Sequence, residues 1–449
     1  MIRAKKQGRG RWIAGALIYL VYLLVFFEAS SRIILSVGPL YRRVRDRDDS
    51  SFRIDWVRRQ GTPKTFAYEF DVYHPTRGWA LKPSIRDMAV FDGKILNSNS
   101  AGLRGKREYE YRRQPGKQRI LVLGDSITFG EEVSDDEAYP HALETLLPDT
   151  EVLNLGVHAY GHDQMLLYLK EEGIKYRPDV VILGFVWWDM QRNLLSFKDF
   201  AKPKFALRPG GLRLTNLPVP TAKAILEQEP YRSKSLDLLV ILREKIWWRF
   251  GLNQELSEEV TWAIFDEIVA TARGVGAVPV LVYLPVMEEI RDANTNLTSN
   301  EQPLFGYCQQ RGVACLFLRP RFLEEIGRGV QFKYRGHWNA SGHITTAKGI
   351  RDYLREKGVI HETRSVSWTG SQLEKPAPGV RRHGHVGLST THGNPSFGHA
   401  GEASNALIGW SVQGKLRSSP SKQTDIGLGG REIHPSLGSS PVSPERSEE

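Results

Sequence analysis

Between Arg119 and Leu318, short runs of Val, Ile and Leu alternate with longer segments of helical periodicity, and this constrains the fold more than any other feature of the chain. Runs apolar at consecutive positions, rather than every second one, are buried on both faces, as parallel strands covered by helices are. Five strands are predicted, at residues 119–123, 151–155, 179–186, 278–284 and 313–318. Helices are predicted near 138–147, 164–172, 258–272, 304–310 and 341–357, with Ser257 as the N-cap ahead of the first-turn acids Glu258 and Glu259. The expected fold is a three-layer α/β/α sandwich around a five-stranded parallel sheet. Residues 194–256 break the alternation with a Pro- and Gly-rich half and an aromatic half, and read as an insertion near the substrate end of that sheet.

The flanks differ from this core. Residues 12–27, WIAGALIYLVYLLVFF, form an uninterrupted apolar run behind five basic residues, which is the positive-inside pattern of a membrane segment. The run reaches only about 24 Å against a hydrocarbon core of roughly 30 Å, so the helix is expected to continue past Glu28 or to thin the bilayer. Small residues at alternate positions after the run are poorly represented, which favours an uncleaved anchor over a cleaved signal. Residues 1–37 are therefore read as a basic tip and transmembrane helix, placing everything after them on the extracytoplasmic side. Residues 38–117 read as irregular strands packed against the domain of 118–363. Residues 364–449, rich in Gly, Ser, Pro and His, read as a disordered tail whose His383, His385, His392 and His399 are solvated.

The net charge of +10 would suggest a nucleic-acid partner if it lay on one folded surface. It resides instead in the N-terminal tip, in residues 41–60 and in the tail, leaving 61–363 neutral, so no nucleic-acid partner is expected. Cys308 and Cys315 are too few for a disulfide framework or a structural zinc site, and read either as two small buried hydrophobes or as one disulfide pair. No metal or cofactor is expected.

The feature that carries chemistry is Leu123-Gly124-Asp125-Ser126-Ile127-Thr128-Phe129-Gly130 at the exit of the first strand. In a parallel sheet the carboxyl ends of the strands form the binding crevice, so Ser126 lies at its mouth. A helix starting there aims backbone N–H groups at an oxyanion. A serine hydroxyl needs a base, and His337, in a loop after the last strand and before the last helix, arrives at the same sheet edge.

Taken together, Gly-Asp-Ser-Ile-Thr-Phe-Gly, Asn154-Leu155-Gly156, the acidic site after the third strand and His337-Trp338-Asn339 resemble the SGNH or GDSL hydrolase family, particularly its membrane-anchored bacterial branch linked to polysaccharide and lipid modification. The likeness runs from about Gly78 to Leu354 and includes Leu96-Asn97-Ser98 and Gly102-Leu103-Arg104-Gly105. It implies Ser126 as nucleophile and His337 as general base, with Asp125 and Asp189 as acidic members of the site. It also implies the N–H groups of Ser126 and Gly156 as oxyanion donors, no metal, and an esterase, deacetylase or O-acyltransferase acting on an acylated glycan or lipid of the cell envelope.

Two positions depart from the family pattern. Where the family carries an oxyanion Asn before Asp, this chain has Trp188-Asp189, and where it carries an Asp shortly before the His, this chain has Tyr334-Arg335. Asn193 or Asn154 are the substitute donors, and Asp189, Glu325 or a backbone carbonyl the substitute partners for His337. His158 and His162 are either alternative bases or polar loop residues, and Trp187 and Trp188 either stack on a sugar or pack in the core. The departures motivate a second reading, a non-catalytic glycan-binding or assembly component of an envelope polysaccharide machinery.

Overall fold

The computed structural model describes residues 2–59, 65–291, 294, 296–332 and 336–360, with side chains described from residue 12 onward. The expected disordered tail, 364–449 with His383, His385, His392 and His399, lies outside the described residues.

The chain opens with three helices, α1 (Ile2–Ser36), α2 (Gly38–Val44) and α3 (Asp49–Arg59). Two small antiparallel hairpins follow, β1 (Asp71–His74) with β2 (Gly78–Leu81) and β3 (Met88–Val90) with β4 (Lys94–Leu96). The main domain runs β5 (Gln118–Gly124), α4 (Ser126–Phe129), α5 (Tyr139–Leu146), β6 (Thr150–Gly156), α6 (His162–Glu171), β7 (Val180–Phe185) and α7 (Asp189–Arg192). An insertion contributes a hairpin, β8 (Lys204–Arg208) with β9 (Gly211–Thr215), and helices α8 (Ala222–Gln228) and α9 (Lys234–Arg249). The domain closes with α10 (Leu252–Gly274), β10 (Val278–Tyr283), α11 (Met287–Arg291), α12 (Glu301–Arg311), β11 (Ala314–Phe317), α13 (Arg319–Gly327) and α14 (Ala340–Glu356).

The central sheet has five parallel strands in the order β11-β10-β7-β5-β6. Its strands are continuously apolar because both faces are covered. Leu121 and Leu123 pack with Leu153, Leu155, Leu183 and Leu281 on one face, and Ile120 and Val122 with Val152, Ile182 and Val282 on the other. Truncating one of these, as in Leu121→Ala, is expected to cost about 2–5 kcal/mol. The chain leaves β5 for β6 on one side and then crosses back to β7 on the other, so the strand order reverses at β5 and opens a crevice at its carboxyl end.

Each predicted strand lies within two residues of an observed one. Several other expectations are corrected. Ser257 is not an N-cap: α10 begins at Leu252, and the Ser257 hydroxyl sits inside it, donating to the Gln254 carbonyl at 2.8 Å. The segment before the domain is not only irregular strand, since α2 and α3 occupy most of 38–59. Cys308 and Cys315 form a disulfide, because the Gly312 turn after α12 folds β11 back and brings their Cα atoms to 6.3 Å.

Candidate active site

The turn from β5 into α4 is shaped by close packing. A Cβ on Gly124 would lie 1.9 Å from the Thr128 hydroxyl oxygen and one on Gly156 would lie 2.4 Å from the Phe129 nitrogen, so only glycine lets β5, β6 and α4 meet. Asp125 caps the helix, its Oδ1 accepting from the Ile127 N–H at 3.0 Å. Ser126 thereby occupies the first helical position, where its N–H has no acceptor within the helix. The corner that follows is clamped by Arg104, whose guanidinium donates to the carbonyls of Phe129 (2.6 Å), Gly130 (2.5 Å) and Val133 (2.6 Å) while pairing with Asp135 at 2.9 Å.

His337 reaches this turn from 211 residues away in sequence, its Nε2 lying 2.8 Å from the Ser126 hydroxyl. It is held by its neighbours, since Trp338 is fully buried and Asn339 caps α14 by accepting from the Gly342 N–H at 3.3 Å. On the other ring nitrogen, Nδ1 faces Glu132 Oε1 at 3.5 Å. Glu132 sits inside the corner clamped by Arg104, between Gly130 and Val133, at φ +67°, a left-handed conformation uncommon for a residue with a side chain. Glu131 Oε2 is 3.7 Å from His337 Nε2, the same nitrogen that serves Ser126, while its other oxygen accepts from the Tyr68 hydroxyl. Burial lowers the pKa of His337, but the carboxylates of Glu132, Glu131 and Asp125 outweigh it and the net shift is upward.

Sequence reasoning missed Glu132. It looked for an acid near the histidine, whereas this acid follows the serine by six positions in Phe129-Gly130-Glu131-Glu132, and the adjacent acidic pair was the available signal.

The other candidates are committed elsewhere. Asp189 is fully buried and paired with Arg192 at 2.6 Å, not with His337; burial holds its carboxyl well above the ordinary range, against the pull of Arg192. Glu325 pairs with Arg328 at 2.9 Å. The Gly156 N–H donates to Asn154 Oδ1 at 2.9 Å, and the Asn154 amide donates to the Thr128 carbonyl at 3.0 Å, so this pair ties β6 to α4 rather than facing substrate. The Asn193 amide donates to His162 Nδ1 at 3.0 Å and to the Thr261 hydroxyl at 2.8 Å. Asp125, besides capping α4, lies 3.5 Å from the Arg192 guanidinium. Tyr334 and Arg335 lie outside the described residues.

The loop histidines divide. His162 is buried against Phe185, and desolvation lowers its pKa to about 3, so it is a neutral core residue. His158 is buried with Asp71 at 2.8 Å and Asp199 at 3.7 Å, and although burial opposes its charge these carboxylates lift its pKa to about 9. Trp187 and Trp188, at the carboxyl end of β7, have buried indole N–H groups without a hydrogen-bond partner. Among the described residues no three His, Cys, Asp or Glu side chains are grouped to hold a metal ion.

No family model and no curated protein matches the chain. Solved structures similar to it include TesA, at 15% identity with TM-score 0.33, covering 54% of this chain and all of that one. A lipolytic protein of the G-D-S-L family from Desulfitobacterium hafniense has 14% identity and TM-score 0.32, covering 53% of this chain and all of its own. A two-domain esterase active on acetylated mannans has 11% identity and TM-score 0.32, covering 54% of this chain and 50% of its own. At these scores the likenesses carry no weight for the chemistry, which stands on the distances above.

Proposed function

We propose that this chain is a serine hydrolase or acyltransferase of the SGNH type, anchored in a membrane by α1 and acting outside the cytoplasm on acyl esters of a glycan or lipid. The observation that carries the reading is the Ser126 hydroxyl 2.8 Å from His337 Nε2, with Glu132 at the opposite ring nitrogen. As the Ser126 oxygen bonds to an ester carbonyl carbon, its proton passes to Nε2 and the carbonyl electron pair moves onto oxygen. Collapse of that intermediate expels the alcohol, which takes the proton from Nε2 and leaves the acyl group on Ser126. Water or a sugar hydroxyl then attacks in the same way and frees the serine. Glu132 steadies the imidazolium in both halves. The donor left for the oxyanion in the turn itself is the Ser126 N–H, and we assign a second donor to the indoles at the end of β7, whose N–H groups have no hydrogen-bond partner. Among these, Trp188 stands where the resemblance places the missing Asn.

Location rests on two separate features. The stretch Trp12–Ser36 is long and apolar enough to cross a membrane, and its flanking charge is basic on the N-terminal side. A disulfide between Cys308 and Cys315 suits an oxidising compartment. The acylated glycan, rather than a free lipid ester, is favoured by the exposed edges of Trp187 and Trp188 beside the crevice, which suit a sugar face.

A second reading, a glycan-binding component without turnover, is favoured by one observation: Gly156, Asn154 and Asn193 all spend their donors inside the protein. The deciding experiment is covalent labelling of the full-length, detergent-solubilised chain with a fluorophosphonate. Labelling lost in Ser126→Ala and in His337→Ala supports the hydrolase, and a folded parent that never labels supports the binding component.

A further inference from the structure

Helix α1 changes character at Glu28. Before it the side chains stand free, Phe26 at 59% exposure; beyond it Ser31 and Leu35 are buried, Leu35 in a cluster with Leu238 and Ile241 of α9. Glu28 itself is the joint. Its carboxylate accepts from the Ser233 hydroxyl (2.9 Å), the Lys234 N–H (3.0 Å), and the Ser235 N–H (2.9 Å) and hydroxyl (2.6 Å), and pairs with Arg32 at 2.9 Å. These N–H groups belong to the first turn of α9, which lacks intrahelical acceptors for them. The anchor helix therefore caps a helix of the folded domain, and no free linker separates that domain from the apolar run.

That junction fixes a depth. The 16 apolar residues before Glu28 cover about 24 Å of a roughly 30 Å hydrocarbon core, so the bilayer boundary falls at or beyond Glu28, level with the start of α9. At that level the protein exposes Tyr231 (90%), Leu236 (63%) and Leu239 (49%). Beside them lies a cavity of about 270 Å³ whose charged lining is Arg32, Arg58 and Lys234 against the one acid Glu229, with Leu35 and Ile54 as apolar walls. Arg58 donates to the Leu35 carbonyl and Lys234 to Glu229, while Arg32 is held by Glu28. Aromatic, aliphatic and cationic side chains mixed at one level are the composition of a headgroup layer contact.

We propose that Tyr231, Leu236 and Leu239 form a collar seated in the interfacial layer of the leaflet from which α1 emerges, and that the basic cavity takes the headgroup of an anionic phospholipid. The inference rests on the membrane-anchored reading above. The collar adds apolar surface where the uninterrupted run of α1 ends at Glu28, and holds the domain flush on the bilayer. Ile246 and Phe250, further along the same exposed side of α9, lie about 18–24 Å beyond its start and stay in water.

Both cysteines of the chain are in the disulfide, so single Leu20→Cys, Leu236→Cys and Phe250→Cys variants of the full chain accept a nitroxide specifically. In nanodiscs of mixed phosphatidylglycerol and phosphatidylcholine, relaxation by oxygen should exceed that by a water-soluble nickel chelate at 20 and 236, and the reverse should hold at 250. Position 236 behaving like 250 while 20 favours oxygen would overturn the collar alone; nickel-dominated relaxation at 20 would overturn the membrane anchor itself. Native mass spectrometry of the released chain should retain phosphatidylglycerol at least fivefold over phosphatidylcholine, with the preference reduced in Lys234→Gln. Equal retention of the two lipids, or a second copy of the chain in their place, would overturn the headgroup site.

Discussion

His158 and His337 are both histidines against carboxylates near the same sheet edge, yet they are built for opposite ends. His158 is sealed in with Asp71 at 2.8 Å and stays protonated to about pH 9, so at neutral pH it is a fixed charge binding the β1 hairpin to the loop after β6. His337 has a longer contact to Glu132, 3.5 Å, and its other nitrogen has the Ser126 hydroxyl at 2.8 Å, nearer than Glu131 at 3.7 Å. A carboxylate held tight in a dry site makes an imidazole a permanent cation; one held loosely at the rim lets it lose and regain a proton. Proximity to an acid does not distinguish a base from a structural ion pair, whereas the group on the second nitrogen does.

The sharpest way to break the comparison is to remove the groups on His337. Ser126→Ala should abolish fluorophosphonate labelling, and His337→Gln should slow it by about 10²–10⁴-fold, the range for loss of a general base. His158→Gln should label at close to the parental rate once corrected for folded fraction. Equal losses at the two histidines would erase the distinction.

Next in size is a stability effect confined to the sealed pair. The folded pKa of His158, about 9, lies above its unfolded value near 6.5, so its contribution is complete below about pH 6.5 and is lost as pH rises through 9. Asp71→Asn should therefore lower stability by about 3 kcal/mol at pH 6 and by much less at pH 10. Thermal melts of parent and variant across that range check it. A gap that stays constant with pH would mean that the pair is not an ion pair.

How much of this was legible in the sequence follows from how local each signal is. The five strands could be read because a strand buried on both faces carries its own apolar run, as Ile120 to Leu123 does. Ser126 and His337 could be brought together because both follow strands at one edge of a parallel sheet. Glu132 could not, because its partner is 205 residues away and nothing in Gly130-Glu131-Glu132 says which acid turns inward. The roles of Gly156, Asn154 and Asn193 were misread for a related reason: a donor can be counted in a sequence, but whether another side chain has already taken its bond is settled only by packing. The joint between Glu28 and α9 spans over 200 residues and leaves no periodic trace.

Removal of the Glu132 carboxylate tests the loose pair directly. Glu132→Gln should slow labelling by about 10–100-fold, since an oriented imidazolium loses its counter-charge at the rim rather than in a dry interior. It should also shift the pH profile in a defined direction. Glu132 raises the pKa of His337, and only the neutral imidazole accepts the serine proton, so its loss moves the acid limb to lower pH.

The smallest expected effect separates the two glutamates. Glu131 sits 3.7 Å from the nitrogen that must serve Ser126, and the Tyr68 hydroxyl occupies its other oxygen. In Tyr68→Phe that hydrogen bond is gone, Glu131 bears more of its charge toward His337 Nε2, and the carboxylate competes with the serine for the same proton site. Labelling should slow only about two- to fivefold, a change of roughly 0.4–1 kcal/mol, with the acid limb moving to higher pH, opposite to Glu132→Gln. Adding Glu131→Gln to Tyr68→Phe should return the rate to the parental one or above and move the acid limb below the parental position, because Glu131 itself raises the pKa of His337 and its charge is then absent whatever Tyr68 does. If the double variant is as slow as Tyr68→Phe alone, the tyrosine acts through packing against Phe70 and His158 rather than through Glu131.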